Sequence, residues 1–249
     1  MAWLAVFGMG LVLGALGGGG GILTVPILVG LFGMSATEAT GSSLLVVGLA
    51  SSLGAIQGLI AKKVDWEAAM LIAVPSTIGA LAARMLVVPN IPSLVFGIAK
   101  DDLLLGTFAA VMVVVGIKML RPTGTERDVE PKRGKTIVIG LLIGLVSGIL
   151  GAGGGFLILP ALTLLLGVDL AMAIPTSLLV ISLQSLGGFV GELGKTIQWG
   201  ILGGVVVVAM TGLVAGLLVR NSVPKKALQV SFAILVFVVA AWMIAKVFS

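Results

Sequence analysis

Two glycine-rich stretches carry the residue pattern best suited to chemistry in this 249-residue chain. The first reads GALGGGGGILTVP over residues 14–26, and the second reads GILGAGGGFLILP over residues 148–160. Glycine lets a ligand approach backbone N–H groups closely. A helix that begins after such a run presents unpaired N–H groups and about half a positive charge. Each run therefore predicts an anion site that needs no cationic side chain.

Hydroxyl groups that follow each glycine run extend this prediction. Ser42 and Ser43 lie at the predicted start of the apolar segment after the first run, and Thr176 and Ser177 lie at the corresponding start after the second. These hydroxyls are able to donate to a bound anion. Capping of the helix is an equal alternative for them.

One amide completes the candidate site. Gln184 is the most central strongly polar side chain of any apolar segment, with Ser182 and Ser185 beside it. An amide inside a membrane serves either a ligand or an interhelical hydrogen bond, and the sequence favours neither. The candidate substrate-binding residues are Gly17, Gly18, Gly19, Gly20, Gly21, Ser42, Ser43, Gly151, Gly153, Gly154, Gly155, Thr176, Ser177 and Gln184.

Other glycines are explained better by helix packing. Glycine pairs four residues apart let two helix backbones approach closely. Five consecutive glycines at 17–21 exceed what packing needs, since each would weaken a helix by about 1 kcal/mol relative to alanine. The pairs for which packing is expected are Gly10 and Gly14, Gly144 and Gly148, and Gly212 and Gly216.

Missing residue types exclude several classes of function. The chain has no cysteine, histidine or tyrosine, which excludes disulfides, thiolate or imidazole metal sites and Ser-His-Asp or Cys-His catalysis. The glycine runs lack the Gly-Lys-Ser/Thr ending of a phosphate-binding loop. We therefore expect no enzyme activity, no catalytic residue, no metal and no cofactor.

The charged residues near apolar segments are expected at the membrane surface or in solvent. Arg84 lies near the end of the third segment, where its side chain is expected to reach the membrane surface. Glu38 and Asp169 lie in short connections, where a solvated position is expected. Because no carboxylate lies inside a segment, proton coupling has no evident candidate.

Composition indicates a membrane protein. Hydrophobic residues make up 59% of the chain and charged residues only 10%, whereas about a quarter of a soluble domain is charged. A membrane span needs about 20 apolar residues. The fold class predicted is an all-α polytopic membrane protein with eight hydrophobic segments, near residues 2–33, 41–61, 66–88, 103–120, 136–167, 171–191, 199–219 and 227–248.

Segments 1 and 5 are too long for one crossing. Each has 32 residues, or about 48 Å of straight helix against a hydrocarbon core of about 30 Å. Each is interrupted by its glycine run. Either the span is unwound at the membrane midplane, or two half-helices form a re-entrant hairpin, and both arrangements require protein around the irregular backbone.

The chain contains an internal repeat. With an offset of 134 and no gap, residues 10–47 match residues 144–181, including the glycine runs and the prolines after them. The expected division is a first transmembrane repeat at 1–120, a linker at 121–135 and a second repeat at 136–249. Hairpins in segments 1 and 5 would make the repeats inverted, a common transporter plan, and the segment lengths favour them slightly.

Basic residues indicate the orientation. Fifteen lysines and arginines divide ten to five between the two sides if every segment crosses once, and eleven to four if segments 1 and 5 are hairpins. Both arrangements place the linker 121–135 in the cytoplasm. The four tryptophans lie near segment ends, as expected at a membrane interface: Trp3, Trp66, Trp199 and Trp242.

These motifs resemble those of the TauE/SafE-type sulfite exporter family of prokaryotic membrane proteins. The resemblance spans the duplicated segments, the glycine–proline run in each half, and the GSSLL and PTSLL sequences that follow. It implies a cytoplasmic-membrane carrier for sulfur-containing anions such as sulfite or sulfonates, usually in export, without a metal or prosthetic group. The implied substrate region is Gly17 to Gly21 with Ser42 and Ser43, and Gly151 to Gly155 with Thr176 and Ser177.

The function expected is secondary transport of small anions by alternating access around a midplane site. An anion channel, or a permease for a different organic anion, is the alternative. An accessory subunit would not explain two matched broken segments. The expected partners are a small anionic substrate and the lipid bilayer, with a homo-oligomer left open and no nucleic acid.

Overall fold

The computed structural model of the chain describes residues 1–95, 98–120, 133–151, 153–195, 197–219, 234 and 237–245. The first half contains α1 Ala2–Leu16, a 3-10 turn Gly19–Leu23, α2 Thr24–Leu31, α3 Ala36–Ile60, α4 Trp66–Ala82 with a π-helical turn Ala83–Val87, and α5 Lys100–Leu120. Before α5, the two-residue strands β1 Leu94–Val95 and β2 Ile98–Ala99 pair antiparallel. The second half contains α6 Arg133–Leu150, α7 Gly155–Leu165, α8 Leu170–Val190 and α9 Trp199–Val219.

The predicted all-helical membrane architecture is confirmed. Within the described residues, five helices are long and apolar enough to cross a membrane: Ala36–Ile60, Trp66–Val87, Arg133–Leu150, Ala171–Val190 and Trp199–Val219. The total of eight segments stays a prediction, because 2–33, 103–120 and 227–248 are not among these five. The three-part division also stays a prediction, since residues 121–132 of the linker lie outside the described residues.

α1 and α2 are the two arms of a hairpin. α1 ends at Gly17, and Gly17 and Gly18 both have positive φ angles, of 68° and 141°, which favour glycine. The Trp3 ring at the start of α1 packs edge-on against the Phe32 ring after α2, with 5.3 Å between ring centroids. Thr24 Oγ1 donates to Met9 Sδ at 2.8 Å. The first apolar segment therefore turns back on itself at its glycine run.

α3 and α8 lie side by side and run antiparallel through the buried part of the protein. Gly41, near the start of α3, contacts Glu192 just after α8, while Gly58, near the end of α3, contacts Pro175 near the start of α8. α4 runs parallel to α8, since Thr77 contacts Gly187 while Arg84, in the turn after α4, contacts Gly191 just after α8. α3 and α4 both pack along α8, so α8 is held on two sides.

Each half supplies a helix that packs into the other half. α1 packs parallel to α9, where a Cβ added at Gly10 would lie 3.0 Å from Leu213 N and one at Gly14 would lie 3.0 Å from Leu217 N. α6 packs in the same way on α4, and Gly148 contacts Ala80. These contacts confirm that the four-residue glycine pairs serve close helix packing.

The predicted start of the second segment is wrong, whereas the sixth segment begins within one residue of its predicted start at 171, so the hydroxyls expected at helix starts lie inside both helices. α3 begins at Ala36, after a capping box in which Ser35 and Glu38 bond each other's backbone N–H groups. α8 begins at Leu170, because Asp169 accepts from Ala171 N at 2.9 Å. A good capping residue, Ser35, is available before the predicted start of the second segment. Glu38 and Asp169 are exposed, as expected, but they also cap helices.

Candidate functional site

The two glycine runs meet in the interior of the protein. A Cβ added at Gly18 would lie 2.8 Å from the Gly155 carbonyl oxygen and 2.9 Å from Gly155 Cα. A Cβ added at Gly155 would in turn clash with the Gly18 backbone. Only glycine permits this approach, so the contact explains one position in each run and brings the candidate regions of both halves together.

Hydroxyls exchanged between the halves hold these turns. Ser43 Oγ of α3 donates to the Gly151 carbonyl oxygen, and Ser177 Oγ of α8 donates to the Gly17 carbonyl oxygen. The two bonds are related residue for residue by the offset of 134. Ser43 and Ser177 therefore position the glycine turns. The sequence predicted these serines at helix starts, but both lie inside their helices.

The other two hydroxyls have different surroundings. Thr176 Oγ1 donates to the Met172 carbonyl at 2.6 Å and accepts from the backbone N–H of Asp65 at 3.0 Å, which ties the start of α4 to α8. Ser42 is buried and lines a cavity described below. Thr176 is thus a structural contact here, and Ser42 is the hydroxyl that faces open space.

The glycines of the second run face polar side chains of α6 and α8. Gly151, Gly153 and Gly154 have φ angles of 70°, 64° and 65°, the left-handed region that favours glycine. A Cβ at Gly154 would lie 2.7 Å from Gln184 Nε2, and one at Gly153 would lie 2.9 Å from Ser185 Oγ. The second turn therefore lies directly against the central part of α8.

The first run is used differently along its length. A Cβ at Gly20 would lie 2.5 Å from Leu13 N, so this glycine packs against α1. Gly19 begins the 3-10 turn, and Gly21 is buried within it. Gly17 contacts Ile174 of α8, where a Cβ would lie 2.5 Å from the isoleucine side chain. Packing thus accounts for Gly17 and Gly20.

Buried polar atoms in the middle of α3 and α8 lack partners in the part of the chain that the structure describes, and two of their residues, Gln184 and Ser185, lie beside the second glycine turn. Both amide atoms of Gln184 and the hydroxyls of Ser51 and Ser185 have no hydrogen-bond partner among the described residues. Ser51 and Ser185 are again related by the offset of 134. Each unsatisfied buried polar group costs about 1–3 kcal/mol. We call Ser51, Gln184 and Ser185 the central polar cluster, where a polar ligand or water would compensate this cost.

Two cavities lie at opposite ends of the α3–α8 pair. One, of about 190 Å³, is lined by Gln57, Gly58, Lys63 and Pro175 among others, and we call it the Lys63 vestibule. The other, of about 60 Å³, is lined by Ser42, Glu38, Phe189, Glu192 and Lys195 among others, and we call it the Glu192 vestibule. The central polar cluster occupies the middle of the same two helices, between these openings.

Arg84 contradicts its predicted position at the membrane surface. Its side chain is fully buried, and Nη1 lies 3.2 Å from Glu192 Oε1. Lys195 Nζ lies 3.0 Å from the same oxygen. The arginine turns inward because Gly191 leaves room beside it on α8 and the Glu192 carboxylate is within reach.

Sequence reasoning missed Glu192 as a buried carboxylate. It stands one residue beyond the predicted sixth segment, and its side chain is 6% exposed. Its partner Arg84 is 108 residues away, so no local pattern indicates the pair. The available signal was that Glu192 and Arg84 both lie near ends of apolar segments. A hairpin topology places these two ends on the same side of the membrane.

Comparison with known proteins agrees with the architecture. The profile of the sulfite exporter TauE/SafE family matches residues 2–243. A probable membrane transporter protein of Xylella fastidiosa (strain 9a5c) is 32% identical over 95% of this chain and 91% of its own length. A probable membrane transporter protein of Methanocaldococcus jannaschii is 30% identical over 73% of this chain and 68% of its own. No solved structure matches significantly. The chain is therefore a multi-pass membrane protein of the transporter class, and it belongs to the TauE/SafE sulfite exporter family.

Proposed function

We propose that this protein is a secondary transporter that exports small sulfur-containing oxyanions, sulfite or organosulfonates, by alternating access along the α3–α8 pair. The observation that carries the proposal is the central polar cluster. Its buried atoms lack partners among the described residues, and it lies between two vestibules that open at opposite ends of the same helices. An anion that accepts from Gln184 Nε2 and the two serine hydroxyls would satisfy these donors.

Inverted repeats fit this mechanism. α3 begins at Ala36 and α8 at Leu170, positions that differ by the repeat offset, yet the two helices run antiparallel. The α1–α2 hairpin supports an odd number of net crossings in the first half. Inverted repeats place the substrate at the midplane, where one half can rock against the other.

The distribution of basic residues supports an orientation. Lys63 precedes α4, and Arg133 at the start of α6 pairs with Glu67 at 2.8 Å, so both helices begin on one side. With hairpins, this side carries eleven of the fifteen basic residues, which favours the cytoplasm. The Lys63 vestibule then faces inward, and the Glu192 vestibule faces outward.

Charge in the vestibules favours export. The described lining of the Lys63 vestibule includes one lysine and no carboxylate, which attracts anions from the cytoplasm. At the Glu192 vestibule two carboxylates, Glu38 and Glu192, balance Lys195 and the buried Arg84, so this vestibule attracts an anion less. An anion therefore meets an attractive entrance and a less attractive exit.

The test is flux of sulfite, methanesulfonate and sulfate, each alone, in liposomes that contain the purified protein. Saturable flux with counterflow for one or two of these anions is expected. Equal and non-saturating flux of all three would instead identify a channel. Absence of flux from protein with an intact helical spectrum would contradict anion transport by the chain alone.

A further inference from the structure

The ion cluster at the Glu192 vestibule, in which Arg84 and Glu192 are buried and Lys195 is exposed, has an unusual arrangement of charge. Arg84 and Lys195 both bond to a single oxygen, Oε1 of Glu192. Arg84 Nε and Nη2 have no partner among the described residues, although the side chain is fully buried. Two cations thus share one carboxylate, and two guanidinium donors remain available to a further acceptor. A guanidinium presents such donors in the planar geometry that suits oxyanions.

The repeat shows that the architecture does not require this cluster. With the offset of 134, Glu192 corresponds to Gly58; with one residue dropped later in the half, Arg84 corresponds to Leu217. Gly58 and Leu217 both line the Lys63 vestibule. The same place in the fold is therefore built from a glycine and a leucine on one side and from an ion pair on the other.

The Glu192 side chain also fills space. A Cβ added at Gly41 would lie 2.8 Å from Glu192 Oε2, so the carboxylate packs across the start of α3. The Lys63 vestibule, with glycine at the corresponding position, holds about 190 Å³, against about 60 Å³ for the Glu192 vestibule. The carboxylate thus separates Arg84 from the open part of its vestibule.

Arg84 lies in a π-helical turn, Ala83–Val87. Such turns interrupt an α-helix at an energetic cost and recur at functional sites. Here the guanidinium is buried in the protein and reaches Glu192 at the end of α8. This placement is a second feature that the opposite half lacks among its described residues, since α9 there is continuous from Trp199 to Val219.

We propose that Arg84 is an anion-binding residue on the outward path and that Glu192 is its tethered competitor. This inference rests on the proposed export function and adds a mechanism for release. A departing oxyanion binds Arg84 and Lys195 while the Glu192 carboxylate is displaced. The return of the carboxylate to both cations expels the anion into the outer vestibule and closes the path behind it.

The test compares Glu192→Gln with the parent protein in two measurements. Glutamine keeps the size of the side chain and loses the charge that competes with the anion. We expect sulfite to bind the purified variant about tenfold more tightly by calorimetry, which corresponds to about 1.4 kcal/mol. We also expect its maximal sulfite efflux rate from liposomes to fall, because release is slower. A merely structural role would not produce tighter binding together with slower efflux.

Two further variants sharpen the comparison. Glu67→Gln removes the charge from the exposed Arg133 pair and serves as the matched control, expected to leave binding and efflux unchanged. Arg84→Gln combined with Glu192→Gln removes the cation and its competitor together, and it is expected to lose the tighter binding. Tighter binding that persists in this double variant would overturn the role of Arg84.

The outcomes separate this inference from the proposed function. Sulfite efflux by the parent, with binding unchanged in Glu192→Gln, would overturn the competitor role and leave transport intact. Tighter binding in Glu192→Gln without efflux from any variant would support the anion site and overturn export. Absence of sulfite binding to the parent and to Glu192→Gln would overturn the anion site.

Discussion

Ser177 Oγ of α8 donates a hydrogen bond to the Gly17 carbonyl oxygen. A residue of the second half therefore holds the glycine turn of the first half in place. Ser43 fastens Gly151 in the reverse direction. These two bonds hold together the interface at which Gly18 and Gly155 meet. Any movement of one half against the other must therefore preserve or break both bonds.

Ser177→Ala is expected to loosen the first glycine turn. Loss of one buried hydrogen bond costs about 1 kcal/mol, or about fivefold in the population of the ordered turn. Sulfite flux in liposomes should fall by a similar factor. Ser52→Ala is the control, because Ser52 donates only to Leu49 within α3, at 2.7 Å. Equal flux in both variants would show that the turn does not depend on Ser177.

Gln184→Leu separates a ligand-binding amide from a structural one. The Gln184 amide has no partner among the described residues, so an apolar side chain of similar size should keep or raise the midpoint of thermal unfolding. Transport should be abolished, since a buried donor for the anion is lost. Gln198→Leu replaces an exposed amide and should leave flux unchanged. A lower unfolding temperature in Gln184→Leu would indicate a structural hydrogen bond instead.

Gly154→Ala tests the space beside the central polar cluster. The added Cβ would lie 2.7 Å from Gln184 Nε2, and the φ of 65° adds strain of about 1–2 kcal/mol. Gly167→Ala has nearly the same φ, 64°, but open space around the added Cβ. Gly167→Ala should lose stability in thermal unfolding from the backbone strain alone, and Gly154→Ala should lose more, because its Cβ must also displace the Gln184 side chain. Only Gly154→Ala should lose sulfite flux, and flux retained there would remove Gly154 from the substrate region.

Cysteine labelling tests the topology, and the chain has no native cysteine to interfere. Lys63→Cys and Lys135→Cys should resist a membrane-impermeant maleimide in whole cells, while Gln198→Cys should react. A hairpin in segment 1 places the connections at Lys63 and Lys135 on the opposite side of the membrane from the N-terminus. A second hairpin in segment 5 returns the connection at Gln198 to the side of the N-terminus. If every segment crossed once, all three positions would lie on one side and would react alike.

The sequence predicted the parts of the fold that local patterns control. The apolar runs predicted the membrane helices, and the spacing of Gly10 and Gly14 predicted a close helix contact. The sequence pattern predicted the start of the second helix at Gly41–Ser43, whereas the capping residue Ser35 starts it earlier. Ser43 donates from inside α3 to a carbonyl of the other half, a contact that the local sequence pattern does not reveal.

The candidate site was predicted less completely, because its chemistry depends on contacts between the halves. The glycine runs and Gln184 were visible as unusual residues, and their roles as substrate contacts stay predictions. The Arg84–Glu192 pair joins helices from different halves, so its burial follows from the packing of α4 on α8. Composition places both residues at segment ends, where solvent is the default expectation.

The packing of α1 on α9 has a consequence for biosynthesis. The glycine face of α1 cannot pack until α9, Trp199–Val219, has left the ribosome, and α4 likewise cannot pack until α6 has been made. Neither half can therefore complete its interior alone, and a chain stopped after the first half would expose glycine faces to lipid. The interior is therefore complete only after α9 has been made, and co-expressed half-chains would need to recognise one another to form it.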